Sequence, residues 1–166
     1  MIVRSLIPIL IFIPILLLQI YVVPVIEISG AVPDLILIVL IYFTLREGQL
    51  YAMILAMAYG FIYDISTGNL IGASMLSRVI TAFIVGYFYN ENKSETYLGN
   101  PIFPLIVLLG GFLNSAMYNL IVNFDINLNI AGIILFSALF PALYSAFVGA
   151  VGSMLFDTFG MRKSNG

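Results

Sequence analysis

Six long apolar runs, separated by breaks too short to hold a domain, dictate what this chain can become. They extend roughly from Ser5 to Ile26, Val32 to Leu45, Gln49 to Ile65, Leu70 to Tyr89, Ile102 to Phe124 and Ile130 to Phe156. The breaks are Glu27-Ile28-Ser29-Gly30, Arg46-Glu47-Gly48, Ser66-Thr67-Gly68-Asn69, Asn90 to Pro101, and Asp125 to Asn129. A helix rising ~1.5 Å per residue needs about 20 apolar residues to cross a ~30 Å hydrocarbon core. Charged residues make up only 8% of the 166, and 62% are apolar, whereas a soluble domain needs about a quarter charged to wet its surface. Lipid is therefore the solvent. The expected fold is an all-α integral membrane protein, one transmembrane domain of six spans, with membrane lipid as its standing partner.

The second and third runs are short; about 14 residues reach only ~21 Å. A re-entrant hairpin would leave Arg46 and Glu47 at membrane depth, at very roughly 3 kcal/mol each. Two short crossings packed behind the longer helices are the better expectation. The first run is also longer than the roughly 7–15 residues of a signal-peptide core, so an uncleaved first helix is expected despite the Ser29-x-Ala31 pair. With the N-terminus in the cytoplasm, six crossings place Arg4, Arg46, Lys93, Arg162 and Lys163 inside, as the positive-inside rule requires. Both termini are then cytoplasmic and the protein is multi-pass.

Residue types that are missing exclude chemistries. There is no Cys, His or Trp, which removes disulfides, thiolate metal sites and the commonest general base. No phosphate-cradling Gly-x-x-x-x-Gly-Lys motif is present, nor a basic face for nucleic acid. No enzyme, metal or cofactor is expected.

Polar residues inside spans each need a reason to be there. Asp64 ends the third span, and Arg78 sits about two turns into the fourth. Side chains lean toward their own helix N-terminus, so in an antiparallel hairpin the two lean toward each other. An Asp64–Arg78 salt bridge is expected, with Asp34 at the outer end of the second span as a possible third member. Small residues recur every fourth position in Ala52, Ala56, Gly60 and Asp64, and in Ser74, Arg78, Ala82 and Gly86. A similar stripe, Ser145, Gly149, Ser153 and Asp157, lies in the sixth span beside Ala138, Ala142 and Ala146. Such faces let helices approach closely in lipid, and these stripes are expected to accept a partner's helix. Two stripes ending in Asp hint at an inverted three-plus-three repeat, although chance placement of common small residues is the simpler account. In the fifth span, Asn114, Ser115, Tyr118 and Asn119 read as packing glue rather than a pocket, and Tyr63 falls with the aromatic residues near span ends.

From Pro33 to about Tyr87 the chain resembles the rod shape-determining protein MreD family. The resemblance rests on Pro33-Asp34-Leu35, on Arg46-Glu47-Gly48, and above all on Gly60-x3-Asp64-x3-Gly68-x3-Gly72. Physically that motif is a helix end, a charged anchor, a turn that needs freedom in φ at Gly68, and a helix start. The resemblance implies a non-enzymatic inner-membrane subunit of the bacterial cell-shape and elongation complex. It would bind the MreC-type single-span periplasmic scaffold. Through that scaffold it would act in lateral peptidoglycan synthesis with a SEDS glycosyltransferase, a penicillin-binding transpeptidase and the MreB-type filament. The candidate interface residues are Asp34, Gly60, Asp64, Gly68, Gly72, Arg78 and Asp157. The family is similar in fold to the S components of energy-coupling-factor transporters, which supplies the alternative of a vitamin-like capture subunit. Against it, Leu6 to Val23 contains no Ala for the Ala-x-x-x-Ala contact of those subunits, and no long outer loop could close a pocket.

Overall fold

The computed structural model of the protein describes residues 2–28, 30–90, 102–123 and 130–158, without the side chains of 2–7, 9, 130–136 and 155–158. The described residues are helical on every apolar run. Helix α1 (Ile2–Leu17) continues through a π-turn (Leu18–Val22) and a 3-10 turn (Val23–Ile26). There follow α2 (Leu35–Glu47), α3 (Gln49–Thr67), α4 (Ala73–Val85) with a 3-10 extension (Gly86–Phe88), α5 (Ile102–Val122) and α6 (Ile130–Thr158). Among the described residues, three stretches are long and apolar enough to cross a membrane: Gln49–Thr67, Ile102–Val122 and Ser137–Met154. Leu10–Ile26 and Ala73–Phe88 are apolar but shorter.

The shortest helices have different reasons for their length. Helix α2 has 13 residues and spans ~20 Å, yet it packs against α1, α3, α4, α5 and α6. Its Ile36, Leu37, Leu40, Ile41, Phe43, Thr44 and Leu45 are all buried. A helix wrapped by its neighbours need not match the bilayer. Helix α4, also of 13 residues, is two-sided instead, with Ala73, Ser74, Ser77, Arg78, Thr81, Ala82 and Val85 turned inward.

Close contacts follow the small residues. A Cβ on Gly60 would lie 2.3 Å from the Met75 Cα, so α3 and α4 meet backbone to backbone. One on Gly111 would lie 3.1 Å from the Ala142 Cα, which brings α5 and α6 together. The stripes are therefore filled from within: Ala52, Ala56, Gly60, Ser74, Ala82, Gly86, Ala138, Ala142, Ser145 and Gly149 are buried in the chain itself. This corrects the expectation that they wait for a partner's helix. Intramolecular neighbours need the same close approach, and they reach the small faces first. Helix α1 closes on α3 through larger groups, with Phe12 stacked on Tyr59 at 4.0 Å and the Tyr59 hydroxyl donating to the Pro8 carbonyl at 2.7 Å.

Candidate functional site

The start of α2 is turned into the bundle, half-buried at Asp34 and Leu35, and its first-turn N–H groups need partners that the helix itself cannot supply. Side chains from several helices supply the missing partners. Asp34, the N-cap, accepts the Leu37 N–H on Oδ1 at 2.9 Å. Gln19 accepts the Leu35 N–H at 2.8 Å and donates to the Pro33 carbonyl at 3.1 Å. The backbone N–H of Asp34 donates to the Ser145 hydroxyl of α6 at 2.9 Å. Gln19 lies in the π-turn of α1 and is only 6% exposed. A π-turn shifts the helical register, and here the turn carries the one buried amide of α1's described side chains.

The second oxygen of Asp34 gathers two more helices. Oδ2 accepts from Arg78 Nη2 of α4 at 3.2 Å and from Asn114 Nδ2 of α5 at 3.4 Å. Arg78 is buried, and its guanidinium lies over the Tyr63 ring of α3, 4.6 Å from the centroid. A carboxylate beside a helix N-terminus also meets the positive end of that helix. Asp34 thus ties α4, α5 and α6 to the beginning of α2, and Gln19 ties the π-turn after α1 to its flanking residues Pro33 and Leu35.

Asp64 does something else. It is fully buried and accepts backbone N–H groups from Gly72 at 2.9 Å, Ser74 at 3.3 Å and Met75 at 3.4 Å. Arg78 is paired with Asp34, and the expected Asp64–Arg78 salt bridge is not formed. The reason lies in the turn. Gly68 and Gly72 both take positive φ, +68° and +97°, and fold the start of α4 back over the end of α3. The unsatisfied N-terminal amides of α4 then arrive at the level of the carboxylate and occupy it.

Of the candidate residues, Asp34 and Arg78 form the cluster. Gly60, Asp64, Gly68 and Gly72 build the hairpin that presents Arg78. Asp157 lies near the C-terminal end of α6, with its side chain outside the description. Gln19, Ser145 and Tyr63 were not recognised as members of this cluster from the sequence. Gln19 was legible as a lone amide in an apolar span; Tyr63 had no signal separating it from the end-of-span aromatics. Chemically, the carboxylates of the cluster are engaged by the protein itself. Both oxygens of Asp34 and of Asp64 accept from protein donors, and among the described residues no three metal-ligating side chains gather.

Helices of this length and apolarity, with Asp64 and Arg78 buried among them, define an all-helical membrane protein. The model of the rod shape-determining protein MreD family matches residues 1–159. The chain belongs to the MreD family, and so to the shape-determining proteins of the bacterial inner membrane. No curated protein and no solved structure matches the chain.

Proposed function

We propose that this chain is a non-enzymatic, multi-pass subunit of the cell-elongation complex that binds an MreC-type single-span scaffold. Through that scaffold it would support lateral peptidoglycan synthesis by a SEDS glycosyltransferase and a penicillin-binding transpeptidase, in register with an MreB-type filament. The observation that carries this reading is the family match over residues 1–159. The engaged carboxylates support it: both oxygens of Asp34 and of Asp64 accept from protein donors. What the bundle offers outward is large and apolar, such as Leu10, Ile13 and Leu17 on α1 and Leu143, Phe147 and Met154 on α6. A partner helix would meet these faces by packing, since lipid supplies no hydrophobic drive between helices. Six crossings with both termini cytoplasmic follow from the basic residues, and the absence of native Cys makes that testable on a clean background. Asn69→Cys should react with an impermeant maleimide in intact spheroplasts, and Lys93→Cys only after permeabilisation.

The functional test is capture of the MreC-like partner by tagged chain from solubilised membranes. Wild type should retain it, and Arg78→Leu should retain less, because the faces of a loosened bundle no longer keep their spacing. Normal accumulation of Arg78→Leu with unchanged capture would contradict the proposed role of the cluster. A small molecule retained by wild type in native mass spectrometry, with no scaffold captured, would contradict the scaffold reading itself.

A further inference from the structure

The turn between α3 and α4 is built unlike a loop that stands in water. Leu70 and Ile71 lie side by side in it, 59% and 67% exposed, with Gly68 and Gly72 on either side. No charged residue occurs between Asp64 and Arg78, and both of these are buried. Several polar groups of the turn are met from within. Ser66 and Thr67 donate their hydroxyls to the carbonyls of Ile62 and Tyr63 at 2.7 and 2.9 Å. The N–H groups of Gly72 and Ser74 go to Asp64, and that of Ala73 to the Leu70 carbonyl. Such internal pairing is what a medium poor in water demands.

The hairpin is also short. Helix α3, with 19 residues, rises ~28 Å, and α4 with its 3-10 extension rises ~25 Å. Neither spans a ~30 Å hydrocarbon core. The other end of the hairpin is held at the headgroups by Arg46 and Glu47, whose side chains are 51% and 22% exposed where α3 begins, so the shortfall falls at the turn. The neighbouring helices run further. Arg78, Asn114 and Ser145 all meet at Asp34. Measured along each helix from that shared level, α4 continues ~8 Å to its start at Ala73, α5 ~12 Å to Val122, and α6 ~22 Å to Ile130. The turn therefore ends well short of α6. We propose that the α3–α4 turn is a lipid-inserting tip. Leu70 and Ile71 reach into the acyl chains of the leaflet at that end of the bundle, with Asn69 at the headgroups. Lipid is the occupant because two side chains fall far short of the ~1,000 Å² of a stable protein interface, and water would leave both apolar groups uncovered.

Nitroxide labels at Asn69→Cys, Ile71→Cys and Phe61→Cys test this, each in the full chain in vesicles of dioleoyl phosphatidylcholine and phosphatidylglycerol. All three side chains are exposed, so labelling removes no packing contact. The readout is the rate of collision with oxygen, which concentrates among acyl chains, and with a water-soluble nickel chelate. The Ile71 label should meet oxygen several-fold more often than the chelate, as should the label at Phe61, midway along α3. The Asn69 label should meet the chelate several-fold more often than the Ile71 label does. Equal chelate rates at Asn69 and Ile71 would put the whole turn in water and overturn the proposal. Low rates with both reagents at Ile71 would mean that protein, such as a second copy of the chain, covers the tip, and would overturn it equally.

Discussion

Asp64 and Gly60 show how one residue can look like a functional group and act as architecture. Each oxygen of Asp64 accepts backbone N–H groups at the start of α4, a role that needs an acceptor but not a full charge. Asp64→Asn keeps one acceptor oxygen but turns its NH2 on the N–H served by the other, leaving at least one donor unmet at about 1–3 kcal/mol, whereas Asp64→Leu leaves all three unmet at about that cost each. Thermal unfolding in detergent should therefore rank wild type, Asn, Leu; equal losses for the two variants would mean that charge is what matters. Gly60 sits where a Cβ would strike the Met75 backbone at 2.3 Å, while a Cβ on Gly68 meets nothing within 4 Å. Gly60→Ala must push two helices apart, at about 1–3 kcal/mol, and Gly68→Ala carries left-handed strain of about 1–2 kcal/mol. The Gly60 variant alone should also reduce α3–α4 proximity, read by spin-label distances across the hairpin. An unchanged distance in that variant would contradict the backbone contact. Both glycines stood out in the sequence through their four-residue spacing with Asp64. What each one does depends on the neighbouring backbone, which spacing cannot report.

At the scale of elements, the unusual object is α2, a short helix whose beginning is turned into the bundle. Its start survives because Gln19, Asp34 and Ser145 stand in for water. Gln19→Leu would unpair the Leu35 N–H and the Pro33 carbonyl, at about 1–3 kcal/mol for each buried group. Hydrogen exchange should then accelerate at Leu35 more than at Leu45, at the far end of the same helix; uniform acceleration would show that Gln19 acts on the whole bundle instead. The run lengths and charge placement made the helices and the shortness of α2 legible before any coordinates. They could not give lateral order, because an apolar face reads the same whether it meets lipid or another helix. For that reason the small-residue stripes were assigned to a partner although the chain uses them itself. The sequence points Arg78 first to Asp64, 14 residues away, and only as a possible third member to Asp34, 44 residues away, for a related reason: helical geometry relates neighbours in a hairpin and says nothing about a third helix.

For the whole molecule, the cluster accounts for how a chain with so few charges holds one arrangement of helices in lipid. Apolar helices have little reason to prefer one neighbour over another. A residue whose carboxylate accepts from α4 and α5 and whose backbone N–H donates to Ser145 of α6 selects a single packing. Membership of the MreD family fits a protein whose product is shape rather than chemistry, and a fixed outer surface is what such a protein has to present. The central claim is that Arg78 acts with Asp34, and a double-mutant cycle on unfolding free energy in lipid nanodiscs tests it most directly. Removing the Asp34 charge should cost about 3–5 kcal/mol by stranding the buried Arg78, and removing Arg78 should cost less, because the Asp34 side chain is 21% exposed. The pair Asp34→Asn with Arg78→Leu should then be non-additive by more than about 1 kcal/mol. Asp64→Asn with Arg78→Leu should add to within about 0.5 kcal/mol. Coupling to Asp64, with Asp34 and Arg78 additive, would contradict the account.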